Sequence, residues 1–303
     1  GRFHETPLHF ATTLNRRMGI PNRVHLKLER FQRTGSFKFR GAISKLLALD
    51  DDVRKRGVVA ASTGNHGLAV ALASQILGNP ATIYHPVDAA KVKLDGIRAL
   101  GAATVGFGHD CVVCESAAQE HVREGGLAYV SPYNDEEVAA GQGTLAVELS
   151  RQLDGVDAVF VSVGGGGLVA GMGAFLKRWQ PDVQIYGCSP ENSAVMLHSL
   201  AAGELLEMDS LPTLSDGTAG GVEAGSITFA LCEQVIDHRV LVSEAEIAAA
   251  MRLIVGQHHM LIEGAAGAAV AGFLQRADEL AGKRVVIVLC GANVGPETLK
   301  AIL

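Results

Sequence analysis

A chain of 303 residues with 48% hydrophobic but only 5% aromatic residues has apolar material for a sizeable core without covalent staples, and an interior rich in Ala, Val, Leu and Gly suits an α/β protein. Net charge is −6 with both signs interspersed and no basic run, which argues against nucleic acid or an anionic membrane as partner and leaves a small-molecule substrate. Five cysteines are an odd count in a chain too large to need disulfides, no stretch approaches a membrane span, and no basic-then-apolar leader opens the chain, so a cytoplasmic protein is expected.

Short β-branched and apolar runs alternate with longer helical patterns along the whole length, with Gly or Asp at the junctions. Strands are expected at 24–28, 58–61, 81–84, 104–107, 128–130, 158–163, 184–188, 239–242 and 284–289. Helices are expected near 37–49, 65–77, 89–100, 110–124, 141–152, 167–179, 226–236, 244–259, 264–276 and 296–302. This alternation is the signature of βαβ units, whose parallel sheets place ligands at the carboxyl ends of their strands. Four strand-helix pairs follow one another across 57–134, which is expected to form a small domain inserted into a large one built from 1–56 and 135–303.

Three motifs stand at strand carboxyl ends. Ser62-Thr63-Gly64-Asn65-His66-Gly67 gathers hydroxyls, an amide and backbone donors at a helix start, a setting for a substrate carboxylate or an oxyanion. After the strand at 158–163, Gly164, Gly165, Gly166 and Gly167 open a helix with bare backbone N–H groups, which makes a phosphate cradle. No Gly-Lys-Ser/Thr follows, so this is no P-loop; Gly165, Gly167, Ala170 and Glu191 do satisfy a loose dinucleotide pattern, and an NAD-dependent oxidoreductase stays open as an alternative. The third motif is Cys290-Gly291-Ala292-Asn293. Cys111 and Cys114 have redox or zinc spacing but no second pair of ligands, and their segment reads as an ordinary helix.

Upstream of all three lies Ser36-Phe37-Lys38-Phe39-Arg40-Gly41, a lysine between two phenylalanines. A desolvated lysine loses its charge readily, and a neutral ε-amine forms Schiff bases with carbonyl compounds or with pyridoxal phosphate.

Together these motifs resemble the pyridoxal-phosphate enzymes of fold type II, the tryptophan-synthase-β-like fold, and within them the serine/threonine dehydratases. The resemblance runs from Thr6-Pro7-Leu8 through Leu26-Lys27-Leu28-Glu29, the lysine motif, Ser62 to Gly67, Ala140-Gly141-Gln142-Gly143-Thr144, Gly164 to Leu168, Asp216-Gly217 and Glu263-Gly264-Ala265 to Cys290–Asn293. It implies two open, twisted, mostly parallel sheets flanked by helices and a homodimer or homotetramer. Pyridoxal 5'-phosphate would be bound through Lys38 as Schiff-base lysine, with Phe37 beside it. Asn65 would meet the ring oxygen, Gly164 to Gly167 and Leu168 the phosphate, and Cys290 the pyridine nitrogen, with Gly217 and Glu263 near the ring. Ser62, Thr63, Gly64, Asn65 and His66 would hold the substrate carboxylate. The implied reaction converts L-threonine or L-serine to a 2-oxo acid and ammonia, with Lys38 moving the Cα proton. Racemisation, β-replacement and a lyase acting on 3-hydroxyaspartate are the alternatives within the fold. A catalytically silent binding module is disfavoured because Lys38 and the asparagine loop are intact.

Departures from the family pattern add expectations. Thr63 stands where related enzymes often carry the serine used in racemisation, so elimination is expected over racemisation. Ser189, Ser193 and Val195 occupy the region of the racemases' acidic cation ligands, so no bound metal is expected. Little sequence follows Asn293, and feedback control by isoleucine through a C-terminal domain is not expected.

Overall fold

A computed structural model describes residues 3–17, 23–62, 64–87, 89, 91–109 and 111–303. Its strands are β1 (Leu8–Phe10), β2 (Arg23–Leu28), β3 (Val58–Ala61), β4 (Ala81–His85), β5 (Ala103–Gly106), β6 (Ala128–Tyr129), β7 (Ala158–Ser162), β8 (Gln184–Pro190), β9 (His238–Val242) and β10 (Arg284–Leu289). The first seven helices are α1 (Thr12–Arg17), α2 (Lys38–Ala48), α3 (Asp51–Arg56), α4 (Asn65–Leu77), α5 (Lys91–Ala99), α6 (Cys111–Gly125) and α7 (Glu136–Gln152). The remaining six are α8 (Gly167–Trp179), α9 (Val195–Ala202), α10 (Ile227–Val235), α11 (Glu244–His258), α12 (Gly264–Arg276) and α13 (Pro296–Ile302).

The strands form two sheets. The larger has the order β1-β2-β10-β7-β8-β9, parallel throughout except for the antiparallel edge pair β1-β2. The smaller, β5-β4-β3-β6, is wholly parallel and is inserted in sequence between β2 and β7. A parallel strand buried on both faces reads as a continuous apolar run, and β3, β7 and β10 do so, as Val-Val-Ala-Ala, Ala-Val-Phe-Val-Ser and Arg-Val-Val-Ile-Val-Leu.

Each sheet has its own core. Leu26, Phe160, Ile287, Val288 and Phe273 centre the larger one. Val58, Ala60, Val70, Ile83 and Ile97 centre the smaller, and α2 gives its apolar face, Phe39, Ala42, Ile43 and Leu46, to that second cluster. The other side of α2 lies on α7, which in turn lies on α8. Backbones touch at both contacts. A Cβ on Gly141 would sit 2.6 Å from the Arg40 carbonyl oxygen and one on Gly143 2.7 Å from that of Gly171, so the Ala-Gly-Gln-Gly run is what lets three helices stack this closely.

Several elements differ from the sequence reading. Helix α7 begins at Glu136 rather than 141, because Asp135 caps it by accepting from Glu137 N and Val138 N; the glycines at 141 and 143 masked a helix whose cap signal lies upstream. The three-residue edge strand β1, α1 and α3 of six residues each, and α9 of eight carry too few periods to stand out.

Beneath the first turn of α2 runs an ion network that hydropathy does not reveal. Arg40 donates from Nε and Nη2 to Glu29, 2.8 Å each, and from Nη1 and Nη2 to Glu148 at 2.6 and 2.9 Å. Lys27 Nζ donates to the same Glu148 at 2.6 Å and to the Thr6 carbonyl at 2.8 Å. All four ionic side chains are buried. Two cations and two anions balance, and burial that opposes the Arg40 charge is outweighed by the two carboxylates, which raise its pKa.

Candidate active site

Lys38 is the first residue of α2. The residue before it, Phe37, donates its N–H to the Cys290 carbonyl at 3.0 Å, and Ser36 bridges Gly291, so the start of α2 is fastened to the end of β10. The Lys38 amine donates to the carbonyl of Pro132 at 2.8 Å and lies 5.2 Å from the centre of the Phe37 ring. No carboxylate among the described residues is ion-paired to it. Burial pushes its pKa down to about 8, with the acidic groups of Cys290 and Glu263 pulling weakly the other way.

At the end of β10 the Cys290 thiol is buried, accepts from Ser162 Oγ at 3.4 Å and faces Glu263 Oε1 at 3.7 Å. Burial, then the neighbouring Glu263, holds that thiol well above its ordinary value, so it is neutral. Asn65 opens α4; its Nδ2 donates to both Glu263 oxygens at 3.0 Å and its Oδ1 accepts from Asn293 Nδ2 at 2.6 Å. His66 is buried, with Nε2 2.8 Å from the Val130 carbonyl, which requires the proton on Nε2. Burial, then the nearby Lys38 charge, pushes its pKa down to about 3, and its Nδ1 is a buried acceptor with no partner among the described residues. Ser62 Oγ accepts from Gly64 N at 3.1 Å. Thr63 lies outside the described residues.

The glycine run leads from β7 into α8, with Gly166 left-handed at φ 84° as the N-cap. Among the described residues, no backbone carbonyl accepts from the N–H groups of Gly164 to Leu168, although Gly166, Gly167 and Leu168 are buried. Buried donors of this kind need an acceptor, and at a helix start they favour an anion. The ring of Tyr133 lies on the run, 2.4 Å from where a Cβ on Gly165 would be. Tyr133 also accepts from Glu223 N at 2.9 Å. Gly217, in the turn Asp216–Thr218, faces Glu263 Oε1 at 3.9 Å from its would-be Cβ.

The structure thus links Phe37, Lys38, Ser62, Gly64, Asn65, His66, the glycine run with Leu168, Gly217, Glu263 and Cys290 into one site beyond the carboxyl ends of β3, β7 and β10. Pro132, Tyr133 and Ser162 belong to it as well and were missed. For the first two the available signal was Val130-Ser-Pro-Tyr-Asn-Asp135, which follows β6 at the same carboxyl edge as the other motifs. Glu191, the acid of the dinucleotide reading, is exposed in a turn after β8. Cys114 is buried inside α6 and donates to the Phe107 carbonyl at 2.9 Å.

Comparison with known proteins agrees with this geometry. The family model described as pyridoxal-phosphate dependent enzyme matches residues 2–291. An L-threonine ammonia-lyase of Thermotoga maritima is 40% identical over 300 residues, 99% of this chain and 74% of the relative. The L-threo-3-hydroxyaspartate ammonia-lyase of Saccharomyces cerevisiae is 35% identical over 96% of this chain and 88% of its own length. The solved structure of the processed form of threonine deaminase isoform 2 from Solanum lycopersicum superposes with a TM-score of 0.94 at 35% identity, covering 99% of this chain and 87% of that one. The chain spans about half the length of the biosynthetic threonine dehydratases among its relatives.

The chain belongs to the pyridoxal-phosphate-dependent enzymes of fold type II. The dinucleotide alternative gives way to that result. The cofactor suits the residues present: the orphaned N–H groups of the glycine run take a phosphate, and an amine pushed down to about 8 takes an aldehyde.

Proposed function

We propose that this protein is an ammonia-lyase that converts a β-hydroxy amino acid with an uncharged side chain, L-threonine or L-serine, to a 2-oxo acid and ammonia. The observation that carries this reading is the Lys38 amine, held only by a neutral carbonyl and lowered to about 8, beside a phosphate cradle and a neutral thiol. Pyridoxal phosphate, when bound, supplies the aldehyde and the electron sink that make the Cα–H bond of an amino acid acidic.

The chain supplies the rest. Gly164 to Gly167 and Leu168 would hold the phosphate through backbone N–H groups, Asn65 would meet the ring oxygen, and Cys290 would meet the pyridine nitrogen as a neutral thiol that cannot hold a proton there as a carboxylate would. Ser62, Thr63, Gly64 and the N–H groups at the start of α4 bind the substrate carboxylate. Lys38, once free, accepts the Cα proton at Nζ; its lowered pKa keeps a usable share of neutral amine near neutral pH. His66 stays neutral and takes no part as an acid.

The relatives include lyases named for both threonine and threo-3-hydroxyaspartate, so charge at the substrate's β-side chain is the point to decide. The acidic surroundings of the segment that carries Pro132 support the neutral class. Glu223 accepts from Asn134 Nδ2 at 2.8 Å and from Gln119 Nε2 at 3.2 Å, and burial followed by the charges of Glu115 and Glu223 raises the pKa of Tyr129. Among the site groups described above, Lys38 is the one that carries positive charge, and a second substrate carboxylate would meet acids. Cys114, Cys188, Cys232 and Cys290 form no disulfide, which supports a reducing compartment such as the cytoplasm, and no helix among the described residues is long and apolar enough to cross a membrane. A homodimer or homotetramer is the assembly proposed from the family resemblance. A 2-oxo acid assay with L-threonine, L-serine and L-threo-3-hydroxyaspartate tests the reading. Turnover of either neutral substrate is expected to exceed that of hydroxyaspartate in kcat/KM, Glu223→Gln is expected to raise the hydroxyaspartate-to-threonine ratio several-fold, and absence of 2-oxo acid from all three would reject the lyase assignment.

A further inference from the structure

Glu263 occupies the N-cap position of α12, yet its side chain makes no capping hydrogen bond to that helix. The carboxylate turns instead into the cleft, where it is buried. Its two oxygens each lie 3.0 Å from Asn65 Nδ2, Oε2 accepts from Asn293 N at 3.1 Å, and Oε1 faces the Cys290 thiol at 3.7 Å. Asn293 closes the ring of contacts by donating from Nδ2 to Asn65 Oδ1 at 2.6 Å and to the Thr34 carbonyl at 2.8 Å. A Cβ on Gly291 would fall 2.6 Å from Oε1, so the turn after β10 is shaped around this one side chain.

Each of these partners of Glu263 is a neutral donor, and among the described residues no cation is ion-paired to it. A buried carboxylate held in this way costs desolvation, seen as a pKa raised by burial. A cap alone does not account for that cost. What the arrangement achieves is to tie the first residue of α4 to the end of β10, the two places assigned above to the ring oxygen and the pyridine nitrogen of the cofactor.

We infer that Glu263 is a positioning residue that acts through Asn65, clasping the α4 N-terminus to the Cys290–Asn293 turn so that both edges of the cofactor ring are gripped by one rigid unit. This rests on the reading of the cleft as the cofactor site. It differs from a direct cofactor contact in one respect: removing Glu263 matters only while Asn65 is there to be held.

A double-mutant cycle on cofactor affinity tests it. Apo-protein of the wild type, Glu263→Gln, Asn65→Ala and the double variant is titrated with pyridoxal phosphate, binding being followed by absorbance and by quenching of Trp179. A glutamine side chain cannot present two acceptor oxygens to the Asn65 amide, so Glu263→Gln is expected to weaken binding about tenfold in the Asn65 background, the worth of one buried charged hydrogen bond. In the Asn65→Ala background the same change is expected to cost less than about twofold, since the contact is already gone. Equal losses in both backgrounds, or no loss in either, would overturn the inference while leaving the lyase reading intact. Failure of the wild type to bind pyridoxal phosphate would remove both. Should Glu263→Gln not fold by circular dichroism, Asn293→Ala cuts the other half of the clasp without touching the carboxylate, and the same dependence on Asn65 is expected of it, additivity again counting against the clasp.

Discussion

Two cations two residues apart on α2 have opposite fates. Arg40 is fully buried between two carboxylates, keeps its charge and ties the turn after β2, α2 and α7 together. Lys38 has a backbone carbonyl as its partner and drops to about 8. Burial opposes charge at both positions, so what separates them is the set of partners. A buried cation with paired carboxylates becomes structure, and one without them becomes a reagent. Placing both on one helix turn means that the rigid member fixes where the reactive one points.

The largest effect that separates the two is on stability. Glu148→Gln leaves Lys27 without its carboxylate and Arg40 with Glu29 alone in a dry site, and a loss of roughly 3–5 kcal/mol in urea unfolding is expected. Glu279→Gln, which breaks an exposed pair with Arg276, is the control and is expected to change stability by less than about 1 kcal/mol. Comparable losses for both would mean that the buried network carries no special weight.

A smaller contrast is expected with pH. The folded-state pKa of Lys38 lies below that of the unfolded chain, so between about 8 and the ordinary lysine value of 10.5 the unfolded state binds more protons and apo-protein stability rises with pH through this group. Arg40 contributes no slope there. His66, lowered to about 3 from 6.5, makes the apo-protein lose stability as pH falls through that window, its full contribution being present above 6.5. Denaturation midpoints of wild type, Lys38→Met and His66→Gln across pH should show these slopes disappear one at a time; slopes unchanged by the substitutions would contradict the assigned groups.

Much of the site was legible in the sequence because a parallel sheet exposes its ligand groups at strand carboxyl ends, where glycines and amides interrupt apolar runs. Asn65, the glycine run and Cys290 sit at such junctions, Lys38 opens a helix fastened to the last of them, and all come together in the structure. The segment 130–134 escaped because a single Pro-Tyr pair carries no repeat or spacing, even though the Pro132 carbonyl holds the key amine and Tyr133 covers the glycines. The ion network escaped for another reason. Lys27 alternates with Leu26 and Leu28 as a solvent-facing strand residue would, and only the packing of α7 on β2 puts it in the interior. The same holds for Glu263: its place before Gly264 suggests a helix cap, whereas the tertiary fold sends its carboxylate to Asn65.

The central claim, that Lys38 is the amine that carries the cofactor, is tested most directly by borohydride reduction of the loaded protein followed by peptide mapping. The expected result is a pyridoxyl group on Lys38, with uptake by the apo-protein rising around pH 8 rather than near 10.5. A label on any other lysine, or uptake with the pH profile of an ordinary exposed amine, would contradict it.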